Sequence, residues 1–258
     1  MNWVDVSGIT DMSYLFSGDN NYREYNKYNG DISKWDVSNV KSMSHMFWRS
    51  NFDNAIGKWD VSNVTDMYRM FNDSSFEQDI SDWDVSHVTN MSYMFYESSY
   101  FNQNISKWDV SGVRDMVGMF SKSKFNNNIS GWNVSNVHDM SSMFAYSQFD
   151  SNISEWDVSN VVNMDSMFEY SKFNQDISQW DVSNVEIMYA MFKDSLFDKD
   201  ISGWNVSKVY DMSYMFEYSD FNQDISNWDV SNVKYFSKMF AKCNIQAEYK
   251  PKKFLSKL

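Results

Sequence analysis

Nine tryptophans, Trp35, Trp59, Trp83, Trp108, Trp132, Trp156, Trp180, Trp204 and Trp228, lie 24 residues apart, with a single step of 25. A fixed period of this length implies an array of stacked units, because one such unit is too small to bury its own apolar face. Numbering each unit from its Ile gives ten units, beginning at Met1, Ile32, Ile56, Ile80, Ile105, Ile129, Ile153, Ile177, Ile201 and Ile225. Val holds position 6, Ser position 7 and Phe position 16 in all ten, and Met dominates positions 12 and 15.

The periodicity changes inside each unit. Positions 4 and 6, such as Trp180 and Val182, alternate as one face of a short strand does. Positions 9, 12, 15 and 16 fall on one stripe of a helix, with Ser183 or Asn184 placed to cap it. Phe173 to Asp176 reads as the return turn. The predicted fold is therefore an α/β leucine-rich-repeat-like solenoid of about ten strand–helix coils, with a parallel β-sheet on one face.

The array spans residues 1–245, with an insertion at 17–27 that contains Tyr22, Arg23 and Tyr25. Residues 246–258 form a basic tail, in which Tyr249, Phe254, Leu255 and Leu258 are available to cover the last coil and Pro251 stops any helix or ladder. Met1 already occupies position 1, so the expectation is that residues precede it or that this end pairs with something.

Charge narrows the partners. A net charge of −13 opposes nucleic acid, whose phosphates demand clustered Lys and Arg. No apolar run has the length of a membrane helix. Met1 to Asp5 lack the basic segment and apolar run of a secretory signal, which leaves a cytoplasmic location open. Cys243 is the single cysteine, and His45, His87 and His138 fall in different columns, so neither a familiar zinc set nor a nucleophile–base pair is assembled. No cofactor is predicted.

Two sets of residues escape the core pattern. Position 5 is Asp36, Asp60, Asp84, Asp109, Asp157 and Asp181, among others, flanked at position 3 by Lys34, Lys58, Asp82, Lys107, Glu155 and Gln179. These face the open side. Stacked like charges need compensation from the Ser at position 7, backbone amides, water or cations. A hydrogen-bonded structural ladder is the first reading, with Ca²⁺ binding and a ligand-facing acidic stripe as the alternatives. The second set is the irregular positions 14, 17 and 18 on the outer side, Arg69 and Tyr93 among them; its aromatic candidates are Trp48 and Tyr96, with Tyr22 and Tyr25 of the insertion, because exposed aromatics suit interfaces.

In register the unit reads I-x-x-W-x-V-x-x-V-x-x-M-x-x-M-F, which resembles the leucine-rich repeats of BspA-like bacterial surface proteins. It is closer to their Trp- and Met-rich subclass from surface lipoproteins of wall-less and gut bacteria. The subclass string FNQDISxWDVSNVxxM runs unbroken from Phe173 to Met188, and Phe221 to Phe236 departs only in its last residue. Cys243, three residues after Phe240, stands where that family often has Cys. The resemblance implies surface display or secretion, adhesion or binding of a protein or host-surface ligand, and no catalytic residues. The alternative is a structural spacer that self-assembles end to end through its first coil.

Overall fold

The computed structural model describes residues 3–19, 21 and 24–255. The repeat closes as one coil per unit, each stacked on the next. Nine single-residue parallel bridges join position 11 of successive coils, from Asp11–Ser42 to Asp211–Tyr235.

The expected strand–helix alternation is absent. Among the described residues the helices are a 3-10 turn at Ala247–Tyr249 and a short α-helix at Lys252–Leu255, both in the tail. Parallel pairing is reduced to isolated bridges, so there is no parallel sheet among the described residues. The α/β solenoid prediction is overturned, and the reason lies in where the backbone donors go.

At positions 1–9 the donors are consumed in turns. Trp156 N–H reaches the Ile153 carbonyl at 3.2 Å, and Val161 N–H reaches Val158 at 2.9 Å. The Trp–Val alternation therefore reports burial on one side of a turn rather than a strand. At positions 12–18 the donors split between two directions. Met140, Ser142, Phe144 and Tyr146 N–H bond to the next coil, at Asn163, Asp165, Met167 and Glu169. Met143, Ala145 and Ser147 N–H instead reach three residues back, to Met140, Ser142 and Phe144. Positive φ at Ser142 (55°) and Tyr146 (58°) breaks any helix there, since left-handed residues occur singly in turns. Positions 14 and 18 are left-handed in all nine coils from the second to the tenth. With no helix to cap, the position-7 hydroxyl turns to the Asp at position 5, as Ser38 Oγ does to Asp36 at 2.6 Å.

Packing follows the columns. Ile153, Trp156, Val158, Val161, Met164, Met167, Phe168 and Phe173 of one coil are all buried. Position-16 phenylalanines stack coil on coil, as Phe47 on Phe71 at 5.5 Å and Phe95 on Phe120 at 5.8 Å. Such contacts add about 0.5–1.5 kcal/mol each beyond area burial. Each indole satisfies its one polar group across the junction: Trp156 Nε1 donates to the Ile129 carbonyl of the preceding coil at 3.1 Å. Eight tryptophans, from Trp59 to Trp228, repeat that tether.

The tail closes part of the last coil. Phe254 is buried with its ring 5.0 Å from Phe236, while Leu255 is exposed. Leu258 lies outside the described residues. Lys253 Nζ donates to the carbonyls of Val230 (2.9 Å), Ser231 (3.2 Å) and Val233 (2.8 Å). The Ser231 carbonyl is at position 7, which in earlier coils accepts from the next coil's Asn, as Ser159 accepts from Asn184. The ammonium thus stands in for part of an eleventh coil.

Candidate functional site

The open face is a solvated row, indented by a cleft of about 220 Å³ that Lys58, Gln78, Asp79 and Asp82 border. Lys34, Asp36, Lys58, Asp60, Asp82, Asp84, Lys107, Asp109, Glu155, Asp157, Gln179 and Asp181 are all exposed. Asp84 Oδ1 accepts from Ser86 N–H (3.1 Å) and Oγ (2.6 Å) in its own coil. Asp36, Asp60, Asp109, Asp157 and Asp181 accept from their own Ser two residues on. The compensation is therefore a string of local turns rather than a ladder between coils. Hydrogen bonds from these serines hold the Asp36, Asp84, Asp109 and Asp181 carboxyls below the usual carboxylate range. Lys58 and Asp82 pair at 2.9 Å, but both side chains are mostly in solvent, where water and salt screen such a pair. Among the described residues no group of three or more His, Cys, Asp or Glu side chains is placed to hold a metal ion.

The outer side is built differently. Positions 14, 17 and 18 of successive coils alternate tyrosines with cations. Lys193 lies 5.7 Å from the Tyr170 ring and 5.8 Å from Tyr214, with its ammonium 3.3 Å from Glu169. Tyr146 stacks on Tyr170 at 4.7 Å, and Lys242 lies over Tyr218 at 4.9 Å. Because position 14 is left-handed, its side chain leaves the coil toward the neighbour rather than over its own turn, which brings these groups into register.

Two adjoining clefts interrupt this stripe at the early coils. One, of about 600 Å³, is bordered by Glu24, Tyr25, Lys27, Asp73, Glu97 and Tyr100 among others. The second, of about 310 Å³, is lined by Trp48, Arg49, Arg69, Asn72, Asp73, Tyr93, Tyr96 and Glu97. Asp73 and Glu97 form the shared rim. Tyr25 donates its hydroxyl to Asp73 Oδ1 at 2.6 Å, and the Arg49 guanidinium covers its ring at 4.8 Å. Burial and that bond to a carboxylate push the Tyr25 phenol up.

Arg49 Nε pairs with Asp73 Oδ2 at 3.2 Å, and Lys122 pairs with Glu97 at 2.7 Å. Arg69 has its guanidinium carbon 5.2 Å from the Tyr68 ring and 4.9 Å from Tyr93. Its Nε is enclosed without a hydrogen-bond partner. Tyr93 lies across Gly118, where a Cβ would come within 2.6 Å of its ring, so the one glycine at position 14 makes room for it. His45 stacks on Tyr14 at 4.3 Å; burial, then the charge of Arg69, pulls its pKa down to about 4 and keeps it neutral.

Of the aromatic candidates, Tyr25, Trp48 and Tyr96 border these two clefts, and Tyr22 lies outside the described residues. Trp48 departs from the expectation of an exposed anchor: it is 6% exposed, edge-on to His45 at 5.7 Å, and forms cleft wall. The open-face candidates stay apart from this site. The sequence expectations omit Tyr68 and Gly118, and hold Arg69 and Tyr93 only as irregular outer positions. A signal for them exists in the chain, because Arg69, Tyr93 and Gly118 are successive residues of one irregular column.

Four overlapping stretches, residues 1–75, 74–171, 121–219 and 171–249, match the family described as "Mycoplasma protein of unknown function, DUF285". The recurrence of that match along the chain marks a repeat protein. No curated protein and no solved structure matches it. Among the described residues no helix is long and apolar enough to cross a membrane.

Proposed function

The chain belongs to this Mycoplasma family of unknown function, and we propose that it is a non-catalytic interaction module, binding a protein or host-surface ligand at a bacterial cell surface. The observation that carries the reading is a division of labour. The recurring Trp, Val, Met and Phe are buried, and the recurring Asp and Ser bond within their own turns. The irregular residues gather instead around two clefts at the early coils. A surface of half-buried tyrosines with arginine suits recognition. The resemblance to BspA-like surface repeats supports adhesion as the use.

The test is adhesion of protein-coated beads to host cells. Tyr96→Ala with Arg69→Gln should abolish attachment at a temperature where the variant remains folded. Charge reversal at Lys34, Lys58 and Lys107 examines the open face in parallel. Attachment unchanged by both sets refutes the reading.

A second reading, a structural unit that joins end to end, is favoured by one observation. The Lys238, Phe240 and Lys242 N–H groups hold the positions that bond to a following coil elsewhere, and make no such bond among the described residues. Light scattering decides it: size independent of concentration rejects end-to-end assembly.

A further inference from the structure

This inference rests on the binding reading above and names the ligand chemistry of the smaller cleft. Four charged side chains line that cleft: Arg49, Arg69, Asp73 and Glu97. Asp73 is matched by Arg49 and Glu97 by Lys122. The Arg69 guanidinium makes no ion pair or hydrogen bond among the described residues, and the rings of Tyr68 and Tyr93 lie against it. Its Nε is enclosed without a partner, and the side chain lines the cleft.

We propose that this cleft binds a monocarboxylate sugar acid, a pyranose carrying one carboxylate, with the carboxylate on Arg69. Three features select that class. The planar guanidinium fork matches a carboxylate, and clamping it between two rings removes rotamer freedom before the ligand arrives. Asp73 and Glu97 on the rim, each already balanced by a cation, keep acceptor capacity for ligand hydroxyls and leave Arg69 as the uncompensated charge, which suits a monoanion rather than a dianion or polyacidic chain. The Tyr93 and Tyr96 rings line the cleft with centroids 5.7 Å apart; Arg69 lies over the first and Lys122 over the second, and their remaining apolar surface suits the C–H side of a pyranose. The volume of about 310 Å³ lies at the lower end of the ~300–1,000 Å³ typical of small-molecule sites, the scale of a single sugar.

Isothermal titration calorimetry of the whole chain with glucuronate, glucose and N-acetylaspartate amide tests this. Glucuronate should bind saturably, glucose at least about tenfold more weakly, and the aspartate probe more weakly than glucuronate. Arg69→Gln should weaken glucuronate about 10- to 100-fold, the loss expected for one charge-assisted contact, and Arg69→Lys should retain part of it. Saturation-transfer NMR on the unsubstituted chain serves if Arg69→Gln does not fold. There the pyranose protons should receive transfer that acetate diminishes.

No binding of glucuronate overturns the proposal, as does undiminished binding by a folded Arg69→Gln. An aspartate probe that binds as tightly as glucuronate overturns the sugar assignment and points to a peptide carboxylate. Each of these failures leaves the bead assay standing, because attachment through Tyr96 or the open face does not require a sugar acid.

Discussion

Gly118→Ala is the sharpest perturbation of the site that substitutes none of its cleft-lining residues. Gly118 sits at φ +57°, and a Cβ there would lie 2.6 Å from Tyr93 Cε1 and 2.7 Å from Cδ1. The backbone is not the main obstacle. Arg69 and Tyr93 adopt φ 55° and 58° at the same position of earlier coils, at about 1 kcal/mol each. The ring is the obstacle, since Tyr93 must swing off coil five. It then gives up the Arg69 contact, about 0.5–1 kcal/mol, and its edge contacts to Tyr68 and Tyr96, about 0.5–1 kcal/mol each. With the backbone cost included, the loss comes to about 2.5–4 kcal/mol. Urea unfolding followed by tryptophan fluorescence measures it, with the slope against denaturant unchanged. Tyr93→Ala in the Gly118→Ala background isolates the cause. The clash no longer exists there, so the double variant should cost markedly less than the two single losses added. Ser142→Gly, at φ 55° one coil on, should be neutral or gain up to about 1 kcal/mol. A Gly118→Ala loss below about 0.5 kcal/mol, or strict additivity with Tyr93→Ala, refutes this account of the site.

Trp156→Phe should cost about 2–3 kcal/mol, because it strands the buried Ile129 carbonyl and leaves a small void; unfolding by urea checks it, and a cost under about 1 kcal/mol denies the tether a role. Lys253→Met should fray the final coil, seen as faster amide exchange at Val233 and Trp228 with coil five unchanged; uniform protection would show that the ammonium caps nothing. Acid should act in two windows. His45 has a folded pKa of about 4 against 6.5 unfolded, so its contribution is full above pH 6.5 and is lost as pH falls toward 4; His45→Phe should flatten that part of the melting curve. The Asp84, Asp109 and Asp181 carboxyls are depressed below 3.8, so their contribution is full above that value and disappears as pH falls through the lower folded pKa values. Asp84→Asn should remove its share of that slope yet keep the turn, because Asn133 already bonds Ser135 N–H at 3.1 Å and Oγ at 2.7 Å.

The sequence by itself determined the length of the unit, the number of copies and which side chains are buried. Burial is a property of each column, and Ile, Trp, Val, Met and Phe recur in theirs from coil to coil. It also separated the turn-making Asp and Ser from the irregular outer positions. It could not determine the local backbone. A spacing of three apolar positions suits a helix, but it equally suits successive tight turns that each advance three residues, and composition does not distinguish them. The choice is made by neighbours: with a copy stacked on each side, the N–H of Met140 finds the Asn163 carbonyl instead of a partner in its own chain segment.

The site was out of reach for the same reason. That Tyr25 would meet Asp73, or Arg69 would lie between Tyr68 and Tyr93, depends on the offset between coils and on the left-handed residues that turn side chains across the junction. The columns were legible because each position buries its side chain alone. The clefts belong to several coils together, and only the stacked structure brings those coils into contact.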